Sequence, residues 1–147
     1  MSQKIVIASD HAGFPLKKSI VNHLKKQGFD VIDLGPSSDE KALDYPLQAK
    51  QIADQIKKAT TTKGIAICGT GIGMSIAMNR YPFIRGALVY KQQAAKLARQ
   101  HNNANVLCLG GRMTSPKTAK ILVDTFLNTE FEGGRHKRRV KELGELK

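Results

Sequence analysis

A chain of 147 residues with 41% hydrophobic side chains and little low-complexity sequence can bury a substantial core, which excludes a disordered or fibrous protein. Its two cysteines, Cys68 and Cys108, end or interrupt apolar runs, and no apolar stretch approaches the ~18 residues of a membrane span; a disulfide scaffold and a membrane protein are therefore excluded, and reduced thiols in a cytoplasm are expected. The net charge is +12, with no acidic residue between Asp54 and Asp124 and a basic cluster from Arg135 to Lys141, so the surface attracts anions, from polyanions to small phosphorylated molecules.

In chain order, Lys4–Ala8 predicts a first strand, followed by the loop Ser9-Asp10-His11-Ala12-Gly13. The chain enters this strand directly from Met1, without the apolar region and cleavage site of a signal peptide. Leu16, Ile20 and Leu24 recur at helical spacing after Pro15, with Gly28 as the stop. Phe29–Leu34 alternates as a second strand, and Gly35 to Asp39 is a loop. Asp44-Tyr45-Pro46 opens a helix whose inner face carries Leu47, Ala49, Ile52, Ala53 and Ile56. Ile65–Cys68 reads as the third strand, and a glycine-rich turn feeds a helix to about Asn79. Arg85–Tyr90 reads as the fourth strand, Gln92–Gln100 as a helix, and Asn105–Leu109 as the fifth strand. Ser115-Pro116 caps a helix to Asn128, and Arg135–Lys147 is helical after the Gly133-Gly134 break.

Regular β/α alternation with short apolar strands predicts one α/β domain over residues 1–147. Its expected form is a three-layer Rossmann-like fold, a five-stranded parallel sheet flanked by helices. In such sheets the site lies beyond the carboxyl ends of the strands, where strand order reverses. Asp10, His11, Cys68, Thr70 and Arg112 follow strands, while His101 ends a helix just before the fifth.

The most informative segment is Cys68-Gly69-Thr70-Gly71-Ile72-Gly73. It places a thiol at a strand end beside backbone N–H groups able to gather around an anion, an arrangement that favours the thiolate. That chemistry suits an enzyme that removes a proton next to developing negative charge. The alternatives are a turn that needs positive φ and a thiol that is a small core hydrophobe, as expected for Cys108. A dinucleotide fingerprint is excluded, because the third glycine falls one residue early and no acidic partner follows at the required distance. His11, His23, His101 and His136 show no close ligand spacing, so no metal is expected. Arg135 and Arg139 share a helix face and could clamp a phosphate, although a solvated basic face is the default reading. Without interleaved aromatics, specific nucleic-acid binding is not expected.

Together, Ser9-Asp10-His11-Ala12-Gly13, Asp44-Tyr45-Pro46, Cys68 to Gly73, Asn79, Arg99 to Asn102, Asn105-Val106, Gly111-Arg112 and Gly133 to His136 resemble the ribose-5-phosphate isomerase type B family over nearly the whole chain. The resemblance implies an aldose–ketose isomerase of the pentose phosphate pathway, interconverting D-ribose 5-phosphate and D-ribulose 5-phosphate through an enediolate. It implies Cys68 as the base, Thr70 moving protons between the oxygens, and the amides of Gly69, Gly71 and Gly73 holding the enediolate oxygen. Asp10 and His101 would open the furanose ring, with His11, Arg112, Arg135 and Arg139 on the phosphate and Tyr45 and Asn102 on the sugar. It further implies no cofactor, and a homodimer or tetramer with shared sites. His101, Asn102, Arg112 and the C-terminal arginines can come from a neighbouring subunit, on which the segment from about 131 to 147 would pack. Ser9 stands where many members carry cysteine, a position expected to be structural. Isomerisation of a six-carbon phosphosugar, such as allose 6-phosphate or galactose 6-phosphate, and a non-catalytic phosphosugar-binding regulator are the alternatives.

Overall fold

The structure, a computed structural model, describes residues 3–146. In chain order its elements are β1 (Lys4–Ser9), α1 (Phe14–Lys26), β2 (Asp30–Asp33), α2 (Tyr45–Lys58), β3 (Lys63–Cys68), α3 (Ile72–Met78), β4 (Gly86–Leu88), α4 (Gln92–Gln100), β5 (Val106–Gly110), α5 (Pro116–Asn128) and α6 (Arg135–Glu145). The five strands form one sheet in the order β2-β1-β3-β5-β4, parallel at every pairing. The expected α/β architecture is therefore the observed one.

Alternation along the central strands explains the three layers. Ile5 and Ile7 of β1, Ile65 and Ile67 of β3, and Leu107 and Leu109 of β5 are buried in one core with α1, α4 and α5. Val6, Ala8, Ala66, Cys68, Val106 and Cys108 point the other way, into a core with α2 and α3. Both faces are covered, which is why these strands read as continuous apolar runs.

The termini of several elements follow the local chemistry. Gly28, at φ +86°, ends α1 as expected. Ser115 Oγ accepts the Thr118 N–H at 3.2 Å and starts α5, a cap worth about 1 kcal/mol. Lys17 is buried beneath the loop after β2, donating to Asp33 Oδ1 at 2.7 Å and to the Pro36 carbonyl at 2.6 Å.

The fourth strand is shorter than Arg85–Tyr90. The Arg85 N–H is taken by Asn105 Oδ1 at 2.7 Å, so pairing starts one residue later. At the other end Val89 makes one more bond, to the Cys108 carbonyl, and Tyr90 turns toward the loop after β3. The C-terminal segment is helical from Arg135 to Glu145; Lys147 lies outside the described residues. Only His136 of α6 is buried, and Leu143 and Leu146 remain 46% and 71% exposed.

Candidate active site

The order β2-β1-β3 means that the chain leaves β1 to one side and returns on the other, opening a crevice between the loops after β1 and β3. The β1 loop is held by its own polar groups. Asp10 donates its N–H to the Ile67 carbonyl at 3.1 Å and accepts the Gly13 N–H on Oδ1 at 2.9 Å, which leaves the second carboxylate oxygen for a ligand. His11 Nδ1 accepts the Leu43 N–H at 3.2 Å, so the neutral ring carries its proton on Nε2 and offers a donor there. Ser9 Oγ is fully buried without a partner, as a packing residue would be.

Cys68 ends β3 and is 5% exposed. Its Sγ accepts the Gly71 N–H at 3.2 Å, an amide dipole that stabilises negative charge on sulfur. Gly71 has φ +83°, and a Cβ there would come within 2.6 Å of Leu88 Cδ1, so only glycine turns the amide back onto the sulfur. Thr70 Oγ1 accepts the Ile72 N–H at 3.1 Å, leaving the hydroxyl proton free to be donated. The Tyr45 ring packs on Gly73, where a Cβ would meet it at 2.7 Å. Arg112 donates its backbone N–H to the Gly69 carbonyl at 2.9 Å, and its guanidinium lies over the same glycine. One chain thus brings together Asp10, His11, Tyr45, Cys68, Gly69, Thr70, Gly71, Gly73 and Arg112.

Cys108 is the internal contrast. It lies on β5 with no exposed surface, and burial, reinforced by Cys68 nearby, pushes its thiol up to about 12. At neutral pH it is a core hydrophobe.

The other expected residues lie elsewhere. His101 follows α4, which runs back toward the start of β5, and Val106 pairs with Gly64 whereas Cys68 pairs with Gly110. Those rungs are four residues apart, about 13 Å along the strand. Asn102, Arg135 and Arg139 accompany His101 at this far end, because the Glu132 N–H donates to the Gln100 carbonyl at 3.1 Å and ties the start of α6 to the end of α4. There the His101 and His136 rings stack with centroids 4.3 Å apart, and Glu132 Oε1 lies 3.8 and 3.7 Å from their Nε2 atoms. Burial first, then repulsion from His101 and Arg135, holds the His136 imidazole below its ordinary value. These three side chains could converge on a metal. The Arg135 guanidinium 3.5 Å from His136 Nε2 suits an anion instead. Neither His136 nor Glu132 has a role legible in the sequence, because spacing alone does not pair them with His101.

The largest cavity described, about 590 Å³, does not lie at Cys68. It lies at this second end, between the segment from Asn79 to Ala87 and the tail of α6, with Asn102 in its wall. Asn79 and Arg99 are structural here. Asn79 brackets Gly86 with bonds of 2.8 and 3.0 Å, and Arg99 is buried with its donors on Asn103, Ala104 and Thr129.

Known proteins share this fold and much of this sequence. The chain is 44% identical to the ribose-5-phosphate isomerase B of Escherichia coli K12, over 96% of this chain and 94% of that protein. It is similar to the crystal structure of a ribose 5-phosphate isomerase from Thermotoga maritima, with 48% identity, a TM-score of 0.96, and 99% and 100% of the two chains covered. It is also similar to the ribose-5-phosphate isomerase B of Mycoplasma genitalium solved with bound ribulose 5-phosphate, with 47% identity, a TM-score of 0.95, and coverage of 99% and 96%. The model of the family described as Ribose/Galactose Isomerase matches residues 5–143. A match of that extent, over a fold whose crevice presents a cysteine and a glycine turn, means that this chain belongs to the ribose/galactose isomerase family.

Proposed function

We propose that the protein interconverts D-ribose 5-phosphate and D-ribulose 5-phosphate, with Cys68 as the base. The observation that carries this reading is the Cys68 sulfur at the carboxyl edge of the sheet, receiving an amide N–H at 3.2 Å. The α-proton of a hydroxyaldehyde is weakly acidic, so its removal needs a placed base and a stabilised oxyanion together. The Cys68 thiolate takes the proton from C2 of the open-chain sugar. The C–H electron pair becomes the C1–C2 double bond, and the carbonyl oxygen on C1 takes the negative charge, facing the amides of the Gly69–Gly73 turn. The Thr70 hydroxyl moves a proton between the two oxygens. The thiol then returns its proton to C1 as the oxygen on C2 becomes the carbonyl.

Asp10 and His101 open the furanose ring. His11 and Arg112, with Arg135 and Arg139, grip the phosphate, and Tyr45 and Asn102 contact the sugar. Binding energy from that remote dianion holds C1 and C2 against the sulfur. His101, Asn102, Arg135 and Arg139 reach the sulfur only from a second copy of the chain. A homodimer or larger assembly with shared sites is therefore part of the proposal, and α6, which buries a single residue on its own chain, packs on the neighbour. Two free thiols, and the absence among the described residues of any helix long and apolar enough to cross a membrane, support a cytoplasmic setting.

A coupled assay of the purified protein with ribose 5-phosphate, allose 6-phosphate and galactose 6-phosphate tests the reading. Turnover is expected to be highest on the five-carbon substrate. Cys68→Ala is expected to lower kcat by roughly 10²–10⁴-fold while phosphosugar binding persists. A variant that keeps more than about a tenth of wild-type turnover excludes Cys68 as the base.

A further inference from the structure

We infer that Tyr90 is a positioning residue for the isomerase reaction, holding the peptide unit that stabilises the Cys68 thiolate. The inference rests on the reading of Cys68 as the base and adds a residue to it. Its basis is that two bonds share one peptide. The Tyr90 hydroxyl donates to the Thr70 carbonyl at 2.6 Å, and the N–H of the next residue, Gly71, donates to Cys68 Sγ at 3.2 Å. The carbonyl of Thr70 and the amide of Gly71 are the two ends of a single planar unit, pointing in opposite directions. Holding the oxygen at one end fixes the direction of the hydrogen at the other. A donor on the oxygen also polarises the amide and makes its N–H a stronger donor to sulfur.

The surroundings are built for that clamp. The Thr70 carbonyl lies over Gly110 so closely that a Cβ there would sit 2.5 Å from the oxygen, so the peptide is pinned from one side by β5 and from the other by the phenol. Tyr90 reaches it because the chain leaves the sheet after the Val89 bond to Cys108, at the end of the strand next to β5. The residue is 38% exposed, so its hydroxyl could be solvated at little cost. That it is spent on a carbonyl of the catalytic turn is the feature that needs a functional explanation.

The test is Tyr90→Phe, which removes the hydroxyl from a partly exposed ring and leaves its packing. Two quantities are read on the assembled protein: steady-state kinetics with ribose 5-phosphate, and the rate at which iodoacetamide alkylates Cys68, located by mass spectrometry, from about pH 6 to about pH 10. With a weaker amide donor, alkylation near neutral pH slows about three- to tenfold, and the deficit closes at high pH where both proteins carry the thiolate. The kcat falls by a similar factor with KM unchanged, and the acid limb of the pH profile moves up. A merely structural loss would lower thermal stability without moving that limb or the pH dependence of alkylation. Alkylation of Tyr90→Phe at the wild-type rate at every pH overturns the inference. Because alkylation needs no substrate, it still reports on Tyr90 if Cys68→Ala proves active and the proposed base is wrong.

Discussion

The two ends of the sheet are built on opposite principles. At the carboxyl end, short loops carry functional groups whose backbone donors point inward: Gly71 to a sulfur, Gly13 to a carboxylate, Leu43 to an imidazole. At the amino end, the groups are side chains near helix termini, with two stacked imidazoles, one carboxylate and several arginines, and no thiol among them. The first end presents a thiol beside backbone donors but carries few cations for a phosphate. The second has the cations, but its carboxylate and imidazoles face one another. On the proposed reading each is half of a site, which fits a cavity of about 590 Å³ lying away from the cysteine in a single chain.

The largest expected effect tests that division directly. Cys68→Ala and His101→Asn chains, each prepared alone, should show little turnover. Refolded together in equal amounts, they should regain about a quarter of wild-type activity, because half of random dimers are mixed and each mixed dimer contains one intact site. No recovery on mixing would mean that the two ends do not meet between subunits.

A smaller effect sharpens the picture of the carboxyl end. Gly110→Ala places a methyl group 2.5 Å from the Thr70 carbonyl and must push the turn away from the sheet. Overpacking of this kind costs about 1–3 kcal/mol, visible as a lower Tm, and kcat should fall further than KM rises. An unchanged kcat would show that the turn tolerates displacement.

The smallest effect concerns the amino end. A histidine held below its ordinary value disfavours protonation of the folded state. The protein should therefore lose stability as the pH falls through the unfolded histidine value of 6.5, with the loss levelling off below the lowered folded value. Denaturant midpoints across that window should fall for the wild type and flatten in His136→Gln. Equal slopes would mean that the His101 stack and Arg135 do not restrain His136.

Much of the fold was legible because it is local. Strand alternation, Gly28 as a stop and Ser115 as a cap placed most elements within a residue or two, and Gln92–Gln100 coincided with α4. Arg85 and Tyr90 have strand-like neighbours, yet β4 is confined to Gly86–Leu88. What removes them from the ladder is Asn105 in one case and the Thr70 carbonyl in the other, partners distant in sequence. The candidate residues were likewise legible by type. Their grouping was not: Arg112 lies over Gly69 of its own chain, whereas His101, grouped with the strand-end residues by motif, lies at the opposite end of the sheet.

By itself the sequence determined the β/α alternation, the glycine turn after Cys68 and the excess of cations, since these depend on periodicity, backbone freedom and composition, all properties of neighbours along the chain. Tertiary structure alone decided which amide meets the Cys68 sulfur, which carbonyl Tyr90 holds, and at which end of the sheet each cation lies. Those outcomes depend on strand order and burial, which bring together groups that share no local pattern.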